Sequence, residues 1–245
     1  MVTLDQNTPL ISLHDIHFGY PGRPQVLNGL DFALFQGERV GLVAPNGSGK
    51  TTLFHVIMGL LKPARGQIRL FGSPVETEAD FASARRRIGL LFQDADDQLF
   101  SPTVLEDVAF GPLNLGKSRD EAIDVAHRTL ARLGLSGFED RVTFRLSGGE
   151  KRLVSLATIL AMEPEVLLLD EPTSGLDDKT RHTLTHLIQG LDLAYVVISH
   201  NARFLSEITT KIYSMEGGRV LMDEEVHLHE HVHAHRLGQV PHRHD

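Results

Sequence analysis

The sequence of 245 residues contains no cysteine and no tryptophan, and it has only three tyrosines. The absence of cysteine excludes disulfide bonds, thiolate zinc sites and thiol catalysis, and it fits a reducing compartment. No apolar run approaches the roughly 18 residues that a membrane-spanning helix needs. Residues 1–5 also lack the basic and apolar regions of a signal peptide. We therefore expect a cytosolic protein, whose link to any membrane would depend on a partner.

The chain has no excess of basic charge. It carries 24 lysines and arginines against 32 aspartates and glutamates, a net charge of −8 with histidine counted as neutral. This balance argues against broad electrostatic binding of nucleic acid, so no nucleic-acid partner is expected. Hydrophobic residues make up 41% of the chain, which is enough to build a core and excludes disorder of the whole chain.

Strand-like and helix-like segments alternate along much of the chain, which favours a parallel sheet covered by helices on both faces. Between about residues 94 and 162 the apolar residues fall at helical spacing instead, which predicts a mostly helical insertion. The predicted strands are several short ones in 10–35 and single ones at 39–43, 88–92, 166–169 and 194–199, and the predicted helices outside the insertion are 51–61 and 179–191.

The strongest local pattern is the segment A-P-N-G-S-G-K-T at residues 44–51, between an apolar strand and a helix. Glycines let successive backbone N–H groups point at phosphate oxygens, and the following helix presents its positive end to the same anion. Lys50 would reach the β- and γ-phosphates, and Thr51 would hold Mg²⁺ through its hydroxyl. Such loops usually begin with glycine, so Ala44 requires ordinary backbone angles at that position. The candidate phosphate-binding residues are Asn46, Gly47, Ser48, Gly49, Lys50, Thr51 and Thr52.

Two further segments carry polar residues at the boundaries of predicted elements. The apolar strand at 166–169 ends in Asp170 and Glu171. Asp170 is placed to reach Mg²⁺, and Glu171 is then free to polarise an attacking water. The segment L-S-G-G-E at residues 146–150 precedes a helix, which Ser147 can cap.

Together these three segments resemble the phosphate loop, acidic strand end and signature motif of the ATP-binding cassette (ABC) ATPases, over the chain up to about residue 223. The resemblance implies that Tyr20 stacks on adenine and that Gln93 touches Mg²⁺ and senses a membrane partner. It also implies that Asp177 belongs to the loop after the catalytic Glu171, and that His200 contacts the γ-phosphate. The implied catalytic residues are Glu171, His200 and Gln93, and the implied Mg²⁺ ligands are Thr51, Gln93 and Asp170.

The resemblance also implies the fold and the assembly. We expect an α/β P-loop NTPase core of the ABC type in residues 1–226, with an antiparallel β subdomain and a helical subdomain at about 94–162. The cofactors would be ATP and Mg²⁺, and the partners would be an identical or paralogous cassette and integral membrane transport subunits. The protein would lie peripherally at the cytoplasmic face of the cell membrane. In a head-to-tail dimer, the opposite subunit's ATP would be contacted by Ser147, Gly148, Gly149 and Glu150.

The segments at residues 92–100 and 108–116 resemble those of ATPases from energy-coupling-factor importers, and the cobalt and nickel branch is the most similar one that we can name. Alternatives are an importer of the same type that carries a vitamin, and a generic import ATPase.

The last 19 residues differ in composition from the rest of the chain, and we expect residues 227–245 to form a flexible histidine-rich tail. Neutral imidazoles at alternating positions suit Ni, Co, Cu or Zn, although the same composition also fits a solvated tail that binds no metal. The candidate ligands are His227, His229, His231, His233, His235, His242 and His244.

Two hypotheses from other functional classes remain. A nucleotide-dependent metal-insertion chaperone also pairs a phosphate loop with histidines, but such GTPases need a guanine-reading Asn-Lys-x-Asp element. Residues 210–213, T-K-I-Y, lack the acid. A soluble ABC protein of DNA repair or translation usually carries two cassettes or long insertions, which a single short cassette disfavours.

Overall fold

The computed structural model describes residues 8–45 and 47–221. Ten strands are formed by the described residues: β1 (Ile11–Gly19), β2 (Gln25–Leu34), β3 (Arg39–Val43), β4 (Arg65–Leu70), β5 (Ser73–Pro74), β6 (Ile88–Leu91), β7 (Val166–Asp170), β8 (Ala194–Ile198), β9 (Lys211–Glu216) and β10 (Arg219–Leu221). The same residues form seven α-helices: α1 (Lys50–Ile57), α2 (Glu78–Arg85), α3 (Val104–Asn114), α4 (Arg119–Arg132), α5 (Gly148–Leu160), α6 (Asp178–Gln189) and α7 (Ala202–Ile208).

The larger sheet has six strands in the order β10-β9-β3-β8-β7-β6. Strands β9, β3, β8, β7 and β6 pair in parallel, and β10 closes one edge antiparallel to β9. All five residues of β7 and all five of β8 are buried, as expected for strands covered on both faces. The predicted parallel sheet is therefore confirmed.

The smaller sheet is antiparallel, in the order β2-β1-β4-β5. The expectation of several short strands in residues 10–35 was wrong, because this segment forms two long strands, β1 and β2, of nine and ten residues. A register shift in β1 between Leu13 and Ile16 keeps apolar residues of both halves on the buried face. The sequence pattern therefore reads as interrupted although the strand continues.

Helices α3, α4 and α5 follow one another between β6 and β7 and bury their apolar faces in a common core. Each begins with a capping box, in which a serine or threonine and a glutamate satisfy each other's free backbone N–H groups. Helix α1 ends at Ile57, before the predicted end at residue 61. It stops because Gly59 adopts a φ of +69° and the N–H groups of Leu60 and Leu61 both turn back to the carbonyl of His55.

The parallel order of the larger sheet decides where polar residues meet. Strands β3, β8, β7 and β6 are neighbours, and their carboxyl ends therefore lie along one edge. The glycine-rich loop follows β3, and Ser199 and His200 follow β8. Glu171 follows β7, and Gln93 lies two residues after β6. None of the helices in the described ranges is long and apolar enough to cross a membrane.

Candidate functional site

An open cleft of about 950 Å³ lies at the carboxyl edge of the parallel strands. It brings together residues that the sequence predicts for nucleotide binding and for catalysis: Tyr20, Gly47, Ser48, Gly49, Lys50, Thr51, Thr52, Gln93, Asp170, Glu171 and His200. Asn46 and the seven tail histidines lie outside the described residues.

The glycine-rich loop is shaped by contacts that exclude side chains. Gly49 immediately precedes α1 with a φ of +100°, and a Cβ there would lie 2.8 Å from Cγ1 of Val26. Within the described residues, positive φ at non-glycine positions occurs only at Asp15, Phe71, Glu163 and Glu171. Ala44 therefore has ordinary backbone angles, as the sequence requires, and its side chain is buried. The methyl group fills space beneath the loop without straining it.

Lys50 is held inside the loop. Its Nζ donates to the carbonyl oxygens of Ala44 at 2.6 Å and Pro45 at 3.0 Å, and lies 3.4 Å from Nε2 of His200. Burial lowers the pKa of Lys50, while the nearby charges of Glu171 and Asp170 act in the opposite direction. The ammonium group is thus partly desolvated and ready to exchange carbonyl partners for a more strongly charged acceptor.

A hydrogen bond joins Thr51, in the first turn of α1, to Asp170, at the end of β7. The hydroxyl of Thr51 donates to Oδ2 of Asp170 at 2.7 Å. Asp170 is buried, and this burial raises its pKa, although the Thr51 hydrogen bond and the Lys50 charge oppose the shift. Removal from water makes an ionised Asp170 favour a nearby cation.

The donor set fits Mg²⁺. A hydroxyl, a carboxylate and the amide of Gln93 in the same cleft are the hard oxygen ligands that Mg²⁺ prefers. Across the described ranges, no group of three or more His, Asp or Glu side chains could hold a metal ion alone.

Glu171 occupies an unusual turn beside His200. Its φ is 44°, in the left-handed region, and its N–H donates to the carbonyl of Ile198 at 3.0 Å while its own carbonyl accepts from Ser174 at 3.1 Å. These bonds direct the carboxylate toward the end of β8, where Oε1 lies 3.2 Å from Nε2 of His200. The backbone N–H of His200 lies 3.4 Å from Oε2. The carboxylate and the imidazole therefore face the cleft as a close pair.

Tyr20 contributes an aromatic face to the cleft. Its ring packs edge-on against Phe18 with centroids 5.0 Å apart, and its hydroxyl lies 3.3 Å from Oγ1 of Thr52. The ring is fixed at both ends and still exposed, which suits stacking on a planar base.

The segment at residues 147–150 lies apart from the cleft, since none of its four residues, all of them described, lines it. Ser147 and Glu150 form the capping box of α5: Glu150 Oε2 accepts from the Ser147 N–H at 2.8 Å, and Ser147 Oγ accepts from the Glu150 N–H. The hydrogen bonds that the N–H and the hydroxyl of Ser147 donate to this carboxylate lower the pKa of Glu150. Gly149 packs so tightly on Thr180 of α6 that a Cβ would lie 2.8 Å from Thr180 Cγ2. Gly148 lines a second groove, shared with Gln93 and Ser174.

Asp177 also lies outside the cleft lining. Its carboxylate caps α6 by accepting from the N–H of Thr180 at 3.0 Å and from its hydroxyl at 2.7 Å, which lowers the pKa of Asp177. Within the described residues, Asp177 therefore holds the start of α6.

Several residues that shape the site were not predicted from the sequence. Arg23, Val26, Thr173, Ser174, Ser199 and Asn201 also line the cleft. Arg152 of α5 is buried and donates to the carbonyls of Phe92 and Gln93. The helical spacing of the sequence could have indicated that Arg152 is buried. It lies on the same face of α5 as the buried residues Ser155, Leu156 and Ile159.

Comparisons with known proteins agree with this geometry. The family model described as "ABC transporter" matches residues 27–174, more than half of the chain. A putative ABC transporter ATP-binding protein of Nitratidesulfovibrio vulgaris is 51% identical over 96% of this chain and 86% of its own length. An energy-coupling factor transporter ATP-binding protein, EcfA, of Methanothermobacter thermautotrophicus is 40% identical over 87% of this chain and 70% of its own length.

Solved structures show the same fold. The protein cbiO1 of Clostridium perfringens, described as part of the ABC transporter complex cbiONQ, matches with a TM-score of 0.79 and 32% identity, over 88% of each chain. The cassette MJ0796, solved as a dimer in a post-hydrolysis state with ADP and Pi, matches with a TM-score of 0.79 and 25% identity, over 89% of this chain and all of that one. The chain therefore belongs to the ABC transporter family, as an ATP-binding cassette that hydrolyses ATP.

Proposed function

We propose that this cassette powers an importer of the energy-coupling-factor type that carries a divalent transition metal ion, cobalt or nickel. The roles proposed for the residues in ATP hydrolysis are supported by one observation. Lys50, the Thr51–Asp170 pair and the Glu171–His200 pair all line the same cleft. The importer type is supported by the EcfA relative and by the structural likeness to cbiO1.

In this proposal each pair has a separate task in hydrolysis. Lys50 exchanges its carbonyl partners for the β- and γ-phosphates. Thr51, Asp170 and Gln93 would hold Mg²⁺, which neutralises phosphate charge when bound. Glu171 accepts a proton from the attacking water and orients it, and His200 donates to the γ-phosphate from its position 3.2 Å from the carboxylate.

The exposed start of α5 supports a head-to-tail pair of cassettes. Residues 147–150 present a helix N-terminus and lie outside the cleft of their own chain. A neighbouring cassette, identical or paralogous, would place its ATP against this segment. The dimeric state of the MJ0796 cassette supports such an arrangement.

An apolar patch supports attachment to a membrane subunit. The rings of Phe100 and Phe110 pack edge-to-face with centroids 4.7 Å apart, and Phe100 is 66% exposed. Leu113 is also exposed, whereas Leu99 packs partly against the helical core. The patch formed by Phe100, Phe110 and Leu113 would receive a helix from an integral membrane subunit, so that the cassette lies peripherally at the cytoplasmic face.

The metal substrate is supported by the segments at 92–100 and 108–116 and by the histidine-rich composition of residues 227–245. Seven imidazoles suit nickel or cobalt. A vitamin importer would use the same ATPase cleft, so the choice of substrate depends on measurement of uptake.

Replacing Glu171 with glutamine preserves its size and removes the charge that accepts the proton. We expect turnover to fall by about 10²–10⁴-fold, the usual contribution of a general base, while ATP still binds. The control is Glu163→Gln, because Glu163 also has a positive φ but lies outside the cleft. Lys50→Ala should instead weaken nucleotide binding. Near-normal hydrolysis by Glu171→Gln would contradict the assignment.

The paired arrangement is tested with a mixed dimer of Lys50→Ala and Ser147→Ala chains, purified through two different tags. In a head-to-tail pair both lesions fall in one composite site and the other stays intact, so the mixed dimer should exceed both variant homodimers in ATPase activity. Ser118→Ala controls for the loss of a helix cap, which costs ~1 kcal/mol, because Ser118 caps α4 by the same capping box. A mixed dimer no more active than the homodimers would rule out the arrangement.

The membrane contact is tested by Phe100→Ala in the complex with the membrane subunits. We expect the variant to fold and bind ATP normally but to be lost from the purified complex, because an anchoring ring is removed. Phe144→Ala is the matched control, since Phe144 is 73% exposed and not part of the patch. Full retention of Phe100→Ala in the complex would exclude this surface.

The substrate is tested by uptake of a panel of metal ions and vitamins through the complete complex. We expect cobalt or nickel uptake that disappears with Glu171→Gln. Truncation after Glu225 should preserve ATPase activity and reduce metal retained by the isolated subunit. The full-length subunit should retain less metal at pH values below about 6, because imidazole with a pKa near 6.5 must lose its proton to bind metal. Uptake of a vitamin without either metal would overturn the metal assignment.

A further inference from the structure

The loop of residues 92–98, here called the glutamine loop, joins β6 to the helical subdomain. Gln93 in this loop lines the nucleotide cleft, but among residues 8–45 and 47–221 no hydrogen bond joins its side chain to the phosphate loop. Its position therefore depends on what holds the loop backbone. Arg152 and Gln98 attach that backbone to α5, and Lys151 of the same helix also pairs with the side chain of Asp96.

The first contact is made by Arg152. This arginine is only 5% exposed, its Nη1 donates to the carbonyl of Phe92 at 2.6 Å, and its Nη2 donates to the carbonyl of Gln93. Burial lowers the pKa of Arg152, and the charges of Asp94 and Asp170 oppose that shift. Burying a guanidinium costs free energy unless its N–H groups find acceptors. The hydrogen bonds to these two carbonyls therefore strongly favour one position of the loop.

The second contact is made by Gln98 at the other end of the glutamine loop. Its Nε2 donates to the carbonyl of Ser155 and to the hydroxyl of Thr158, both at 2.8 Å. Its Oε1 lies 3.4 Å from the N–H of Phe92. Gln98 therefore links both ends of the loop to the middle of α5.

We propose that Arg152 and Gln98 are positioning residues: by attaching the glutamine loop to α5, they place Gln93 in the cleft. This proposal rests on the role proposed above for Gln93.

The test compares Gln98→Leu and Arg152→Lys with matched substitutions elsewhere. Gln189→Leu removes a similar amide bond, to the carbonyl of Glu207 at 3.0 Å, and Arg39→Lys removes a guanidinium bond, to the carbonyl of Leu191 at 2.9 Å. Loss of either contact to the loop should leave ATP affinity unchanged and lower kcat by about ten- to a hundredfold, as misplacement of a reacting group does. It should also raise the Mg²⁺ concentration needed for half-maximal rate. The two controls should alter neither value.

A double-mutant cycle with Gln93→Ala separates positioning from general destabilisation. If Arg152 and Gln98 act through Gln93, then Gln93→Ala/Gln98→Leu should be no slower than Gln93→Ala alone. Additive losses, or variants with normal kcat and Mg²⁺ dependence, would overturn the proposal. If Gln93→Ala itself has normal activity, the role of Gln93 in the proposed function fails instead. Should Arg152→Lys fail to fold, Gln98→Leu and Thr158→Val, which removes one acceptor of the Gln98 amide, decide the outcome.

Discussion

The shared edge of four parallel strands determines the arrangement of the whole site. Because β3, β8, β7 and β6 are adjacent and parallel, the segments that leave them must emerge side by side. These segments are far apart in sequence, and each supplies a different part of the site. The register of the sheet, set by buried branched side chains, therefore fixes distances between polar groups that have no local reason to be close.

Burial then makes the charged groups of the site depend on one another. The pKa of Asp170 is raised by burial, and that of Lys50 is lowered by burial, so each ionised form is disfavoured alone and supported by the other. The hydrogen bond from Thr51 and the carbonyls of Ala44 and Pro45 supply the remaining stabilisation. Internal hydrogen bonds thus organise the cleft, and a bound phosphate can replace these partners with little reorganisation.

Local chemistry could be predicted from the sequence, whereas long-range contacts could not. Lys50 and Asp170 were candidates because each adjoins a predicted element, His200 was implied by the family resemblance, and all three line the cleft. The buried link from Arg152 to the glutamine loop spans 59 residues, and no local pattern indicates which carbonyls accept its N–H groups. Helix α1 ends early because of the backbone of Gly59, and Asp177 caps α6; both depend on backbone geometry that residue type alone does not specify. The fold class was predictable because strand–helix alternation and buried apolar runs extend over most of the chain.

The left-handed backbone of Glu171 has a consequence for how such cassettes diverge. At a φ of 44° a side chain branched at Cβ is strongly disfavoured, whatever chemistry it offers. Two independent constraints therefore act on this one position: its backbone conformation and the chemistry proposed for Glu171. A duplicated copy that lost hydrolysis but kept its fold would drift here toward glycine, asparagine or aspartate rather than valine or isoleucine. The residue found at this position in a degenerate sister cassette would thus reveal whether only the carboxylate was lost or the turn as well.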